Sequence, residues 1–446
     1  MNKHTFFSAG AALSLIASAL SFAETPPDRY TIVRCGTLLA SADQPARQRQ
    51  TLVIKNDKVE AILDGFDPPA LTSARGAGAA ITEVDLSDKY VLPGLIDCHV
   101  HLTMEFDREL RMREFTESDP FVTLRAAVYA RRDLDAGFTT VRDLGTGRPD
   151  VVFALRDAIQ QGMLIGPRIV AAGHAISITG GHGDGTTGTR QQLVPIQRPE
   201  DGIADGPDEC RKAVRFQIKI GADVIKVTAT GGVLSVAKAG LAQQEFDDEL
   251  AAIVATAHSL QRKVAAHAHG SDGINAAIRA GVDSIEHGTY LDDESIRLFK
   301  RSNCFHVPTL LATATVAANA EKPGFYLPQV NEKARQVAPH ALEMFRKSHE
   351  AGIKIAFGTD TGVSPHGENA REFALMVKGG MTPLEAIRAA TIVASELLGL
   401  EKEVGTLEPG KAGDLIAVSQ DPTRDVTELE RVQVVIRSGQ VVKSPG

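Results

Sequence analysis

Short runs rich in β-branched residues mark the first part of the chain: Thr31-Ile32-Val33, Thr51 to Ile54 and Val59 to Leu63. Gly and Pro break them, and the Pro/Ala/Gly-rich stretch Asp67 to Ala80 reads as a loop. This texture predicts a small β-domain. After Val91 it changes to apolar strand-like runs alternating with helix-like runs, the mark of βα units around a parallel sheet. The strand-like runs are Gly94 to His101, Thr139 to Asp143, Arg168 to Ala172, Asp223 to Thr230, Lys263 to His267, Val282 to His287, Cys304 to Pro308 and Lys354 to Asp360. Eight such runs predict a closed (β/α)8 TIM barrel over residues 92–400.

The last helix of that region opens with Thr382-Pro383-Leu384-Glu385, where the Thr and Glu side chains can satisfy free amides reciprocally and Pro fits the first turn. Gly399 suits its C-terminal cap. Beyond it, Asp414 to Val418 and Val432 to Val442 are β-type again. Neither terminal segment has enough apolar residues for its own core. Residues 24–91 and 401–446 are therefore expected to combine into one small β-sandwich domain.

Composition then narrows the classes. The 446 residues include 43% hydrophobic and 23% charged positions, with 40 Gly and 21 Pro, as in a folded globular protein. The formal net charge is −8 and no Lys/Arg-rich run occurs, so a nucleic-acid partner is not expected. Residues 1–23 combine Lys3, an apolar run from Ala11 to Leu20 and Ser21-Phe22-Ala23. They read as an export leader cleaved near Ala23, giving a periplasmic or secreted protein without a stable membrane span. Four scattered cysteines, Cys35, Cys98, Cys210 and Cys304, are too few for a disulfide scaffold.

Chemistry concentrates at the ends of the predicted barrel strands. In Leu92-Pro93-Gly94-Leu95-Ile96-Asp97-Cys98-His99-Val100-His101, His99 and His101 lie two apart on a strand and share a face, as metal ligands do. A His-X-His pair is often incidental. Here Lys226, His267, His287 and Asp360 end four further strands, and the repetition favours a metal site. Lys226 lies in the apolar strand Asp223 to Thr228, where burial would depress its pKa. Its amine could then react with carbon dioxide to give an anionic carbamate able to bridge two metals. The bland alternative is an outward, snorkelling lysine. Asp360 either caps a turn or serves as metal ligand and general base.

On these residues the chain resembles the amidohydrolase superfamily. The carriers are Gly-Leu-Ile-Asp-X-His-X-His, Lys226-Val227-Thr228, His267, Ile285-Glu286-His287-Gly288 and Gly358-Thr359-Asp360. The resemblance implies two divalent ions. His99, His101, Lys226 and Asp360 would hold the more buried ion; His267, His287 and the N6-carboxylated Lys226 would hold the other. Zinc suits these ligands. The segments Ile178 to Gly183, His267-Ala268-His269-Gly270, Glu286 to Tyr290 and His366 to Asn369 are similar to the branch of Xaa-Pro and Xaa-Arg/Lys dipeptidases and bacterial ochratoxin-degrading amidohydrolases. That branch implies a homo-oligomer, up to an octamer.

The implied reaction is hydrolysis of the C-terminal amide or peptide bond of a dipeptide or N-acyl amino acid, ochratoxin A included. The metals would lower the pKa of a water between them, and Asp360 would take its proton. His182, His269 and Tyr290 are candidate contacts for the substrate's carbonyl or carboxylate, against the plainer reading of ordinary loop residues. The alternatives are a cyclic amide or lactone hydrolase similar to imidazolonepropionase and, below it, a non-catalytic binding barrel.

Overall fold

The computed structural model describes residues 28–66, 80–236 and 240–444. The leader and nearly all of the Asp67 to Ala80 loop lie outside these residues. Strands β1 (Arg29–Leu38), β2 (Arg47–Lys55), β3 (Lys58–Asp64) and β4 (Ala80–Pro93) come first. The barrel strands follow: β5 (Leu95–Val100), β6 (Phe138–Asp143), β7 (Arg168–Ala171), β8 (Val224–Thr228), β9 (Lys263–Ala268), β10 (Ser284–His287) and β11 (Phe305–Val307). Residues 354–361 form the eighth stave. The chain ends with β12 (Leu415–Val418), β13 (Val434–Arg437) and β14 (Gln440–Lys443).

The barrel strands are parallel and form two ladders, β5-β6-β7 and β11-β10-β9-β8. Backbone bonds join the ladders into a ring. Asp223 N–H donates to Ala171 O at 2.8 Å and Ile176 N–H to Lys226 O at 2.8 Å, closing β7 on β8. On the other side, Ala356 N–H donates to His306 O at 2.9 Å, and Cys98 N–H to Phe357 O at 2.9 Å. The eighth stave thus bridges β11 and β5, and the predicted barrel is closed. β5, β6 and β8 are buried along their whole length, the polar side chains among them included, as expected of a parallel sheet covered on both faces.

The seven remaining strands make one sheet in the order β14-β13-β12-β4-β1-β2-β3. Both ends of the chain feed it, since β4 pairs in parallel with β1 and antiparallel with β12. The sheet bends back on itself into a small sandwich. Lys58 bridges Ala412, and Val33, Leu52, Ile54, Leu415, Val434 and Ile436 share one core.

Helices cover the barrel and end where their sequences dictate. Asp292 caps Asp293–Arg301 by accepting the Ser295 N–H at 2.7 Å. The Thr382 box forms as read: Glu385 accepts the Thr382 N–H at 2.7 Å, and Gly399 closes the helix at φ 71°. No helix among the described residues is long and apolar enough to cross a membrane.

Candidate metal centre

The C-terminal ends of β5, β8, β9, β10 and the eighth stave converge on one cavity of about 600 Å³. His99, His101 and Asp360 bring one ligand atom each to within 4.8 Å of one another, and so do His267, His269 and His287. Asp360 Oδ1 lies 3.4 Å from His99 Nε2 and 3.1 Å from His101 Nε2. The rings of His99 and His287, 5.3 Å apart, join the two groups.

Three of the seven non-glycine residues with positive φ among those described sit here: His287 at 70°, Thr309 at 49° and Asp360 at 58°. An L-residue enters that region at a cost, so the strand ends are held in conformations that aim these side chains. The Thr309 hydroxyl lies 2.6 Å from His287 Nδ1. Thr309 is itself fixed from behind, because buried Glu372 accepts the N–H groups of Leu310 and Leu311 at 2.9 and 2.6 Å.

Hydrogen bonds choose which ring nitrogen faces inward. His101 Nδ1 is 2.8 Å from Gly145 O and His99 Nδ1 is 2.9 Å from Glu286 Oε2. Both partners only accept, so Nδ1 carries a proton in both rings and Nε2 is the nitrogen turned toward Asp360, the one left to ligate an ion. Glu286 is ionised although burial opposes it, because Arg142 at 2.9 Å and His99 bring its pKa down to about 2. Asp97 orders the opposite side. It accepts the N–H of Thr359 at 3.1 Å and its hydroxyl at 2.6 Å, together with the Asn369 amide at 2.9 Å, while burial lifts its own pKa to about 7.

Burial, then neighbouring imidazoles, hold His267 and His287 far below the ordinary histidine range. Burial and the Lys226 charge bring His99 to about 4. These three imidazoles are therefore neutral at pH 7, as ligands must be, whereas the Asp360 carboxylate outweighs burial at His101 and raises its pKa. His267 Nε2 and His182 Nδ1 are buried with no hydrogen-bond partner. Orphaned nitrogens, locked tautomers and neutral rings around a carboxylate are what a divalent-ion site requires, so the residues fit such ions.

Lys226 is 4% exposed, points into the cavity from β8 and donates no hydrogen bond among the described residues. Burial lowers its pKa to about 8 against the pull of Glu286 and Asp360. Burial raises the Asp360 pKa, yet His99, His101 and Lys226 together hold it below the ordinary value.

The six residues read as ligands all line the cavity, as do His182 and His269. His269 stands closer to the centre than a substrate contact need be, stacked on His287 at 4.9 Å. Tyr290 is different: the structure does not bring it to the cavity. Its hydroxyl donates to Gln336 O at 3.2 Å and its ring packs behind the wall near His340. Arg142 and Thr309 were not singled out from sequence, and Glu286 and Asp97 stood there only as motif positions without a role. Their roles exist only as contacts between segments far apart in the chain.

A model of the amidohydrolase family matches residues 90–442. The chain belongs to the amidohydrolase family. It is 32% identical to the ochratoxinase of Aspergillus niger over 98% of this chain and 91% of that protein. The solved structure of a Xaa-Pro dipeptidase with bound methionine in the active site is 40% identical, with TM-score 0.88 over 93% of this chain and 100% of that one. A prolidase complexed with N-methylphosphonate-L-proline is 30% identical, with TM-score 0.81 over 93% and 100%. This amidohydrolase is thus a hydrolase acting on amide bonds, with a (β/α)8 barrel and a β-sandwich.

Proposed function

We propose that this amidohydrolase cleaves the bond joining an acyl group to the nitrogen of an amino acid with a free α-carboxylate, as in dipeptides and N-acyl amino acids, ochratoxin A among them. The observation that carries the reading is the pair of three-ligand groups with Lys226 beside them, at the base of a cavity lined by both apolar and polar side chains. The ochratoxinase, dipeptidase and prolidase relatives support the substrate class.

His99, His101, Asp360 and Lys226 would hold one divalent ion, and His267, His287 and the carboxylated Lys226 a second, zinc being suited to both. Bound there, the ions supply Lewis acidity toward the amide carbonyl and acidify a water at neutral pH. The protein's own groups do the rest. Asp360 stands where it can accept the water's proton and return it to the departing amine. His182 and His269 face the cavity and can contact the substrate's carbonyl or carboxylate. Glu286, Thr309 and Asp97 keep the ligands oriented. Export after cleavage near Ala23 and assembly into a homo-oligomer belong to the same proposal.

The test compares kcat/KM for an N-acyl amino acid and for its carboxamide on metal-replete protein. A carboxylate taken out of water needs donors, so masking it should remove most of the activity. Equal values would remove the carboxylate site and move the assignment to cyclic amides or lactones.

A further inference from the structure

Lys333, on the helix Pro328–Glu350, is 8% exposed and has no carboxylate partner among the described residues. Its ammonium donates instead to Gly232 O at 2.6 Å, Ser235 O at 2.7 Å and Ser235 Oγ at 3.4 Å. All three acceptors belong to the loop 231–236 that leaves β8 after Lys226. An ammonium has three N–H donors, and here each has an acceptor. Burial alone lowers its pKa to about 8.

The same loop and helix face each other across the cavity wall. Val233 and Leu234 from the loop, Ala334 and Val337 from the helix, and Val316 and Val363 line the cavity within one apolar cluster. The loop also sits flat on the site's histidines. A Cβ on Gly232 would fall 2.2 Å from the His182 ring, which lies 4.2 Å from that of His267. A cation buried against neutral acceptors is costly, so this contact specifies the loop's position at the expense of stability.

We propose that Lys333 is a specificity-determining positioning residue: it fastens loop 231–236 to its own helix and so sets the width of the cavity's apolar half. The substrates this favours carry a bulky apolar acyl or side-chain group. The inference rests on the amide-bond reading for its substrate class and on the geometry alone for the clamp.

The experiment uses metal-replete protein and the variant Lys333→Met, which keeps the apolar stem and removes the donors. Two series are assayed: N-acyl-L-phenylalanines from acetyl to octanoyl, and N-acetyl derivatives of Ala, Leu and Phe. Native kcat/KM should rise with size in at least one series by about tenfold or more, the scale of added methylenes in an apolar pocket. In the variant that rise should flatten to about twofold through KM, with kcat and bound metal retained. An equal loss for every substrate, a native enzyme indifferent to size, or loss of metal would overturn the proposal. If native protein cleaves none of these compounds, the amide reading falls separately and hydrogen exchange decides the clamp: Lys333→Met should speed exchange in 231–236 selectively, and unchanged exchange overturns it. Should Lys333→Met fail to fold, Lys333→Gln, which is too short to reach both carbonyls, must shift the size dependence the same way, and no shift overturns it.

Discussion

Glu286 Oε2 lies 2.9 Å from Nδ1 of His99, and both side chains are fully buried. The other oxygen of the same carboxylate lies 2.9 Å from the Arg142 guanidinium. One anion thus couples a cation inside the barrel to the tautomer of a proposed metal ligand. Arg142→Met would leave Glu286 a buried, uncompensated carboxylate that protonates and offers His99 a donor in place of an acceptor. Affinity for the ion near His99 should drop about 10- to 100-fold, the usual effect of removing a partner that orients a ligand. Metal titration of the variant checks this, and an unchanged isotherm would refute it.

Lys226 sets a pH dependence. At pKa about 8 its free-base fraction at pH 7 is roughly one in ten, against a few in ten thousand for a lysine at 10.5. Only the free amine takes up carbon dioxide, so carbamate formation in metal-free protein should fall as pH drops below about 8. Carbon-13 NMR with labelled bicarbonate reads this directly. Lys226→Ala should lose activity and recover part of it with a short carboxylic acid.

Asp360→Asn should keep most of the bound metal, because the amide oxygen can still coordinate. Turnover should fall by about 10² to 10⁴, the contribution of a positioned acid/base group. Metal analysis alongside kcat separates the two roles, and loss of all metal would make Asp360 a structural ligand first.

Glu245 is buried, and burial, with the charge of Glu249 adding to it, raises its pKa well above the ordinary value. The unfolded chain ionises this group near pH 4.5 while the folded one stays protonated. Stability should therefore be intact below pH 4.5 and decline as pH rises toward the folded pKa. Glu245→Gln should remove that decline, raising the thermal midpoint at pH 8 and changing it little at pH 4. Equal shifts at both pH values would contradict the argument.

The barrel and the residues proposed as ligands were legible because their signals are local. Strands such as Val224–Thr228 are buried throughout, and each proposed ligand lies on such a barrel segment or just beyond it. The strand Ala80–Pro93 was far less legible, because its first half is exposed and shows no apolar alternation. Arg142 and Glu286 are 144 residues apart and meet only through the fold. Tyr290 misled for the opposite reason: it follows His287 closely in sequence, yet its backbone turns the ring toward Gln336. Tyr290→Phe should accordingly leave kcat/KM unchanged and cost about 0.5–1.5 kcal/mol of stability.

The most direct test is phenylalanine release from an N-acyl-L-phenylalanine by native protein, measured metal-replete, after chelation and after readdition of zinc. Protein holding about two ions per chain should release phenylalanine steadily, lose that activity on chelation and recover it with zinc. No release from metal-replete protein, or release that chelation leaves untouched, would contradict the proposed function.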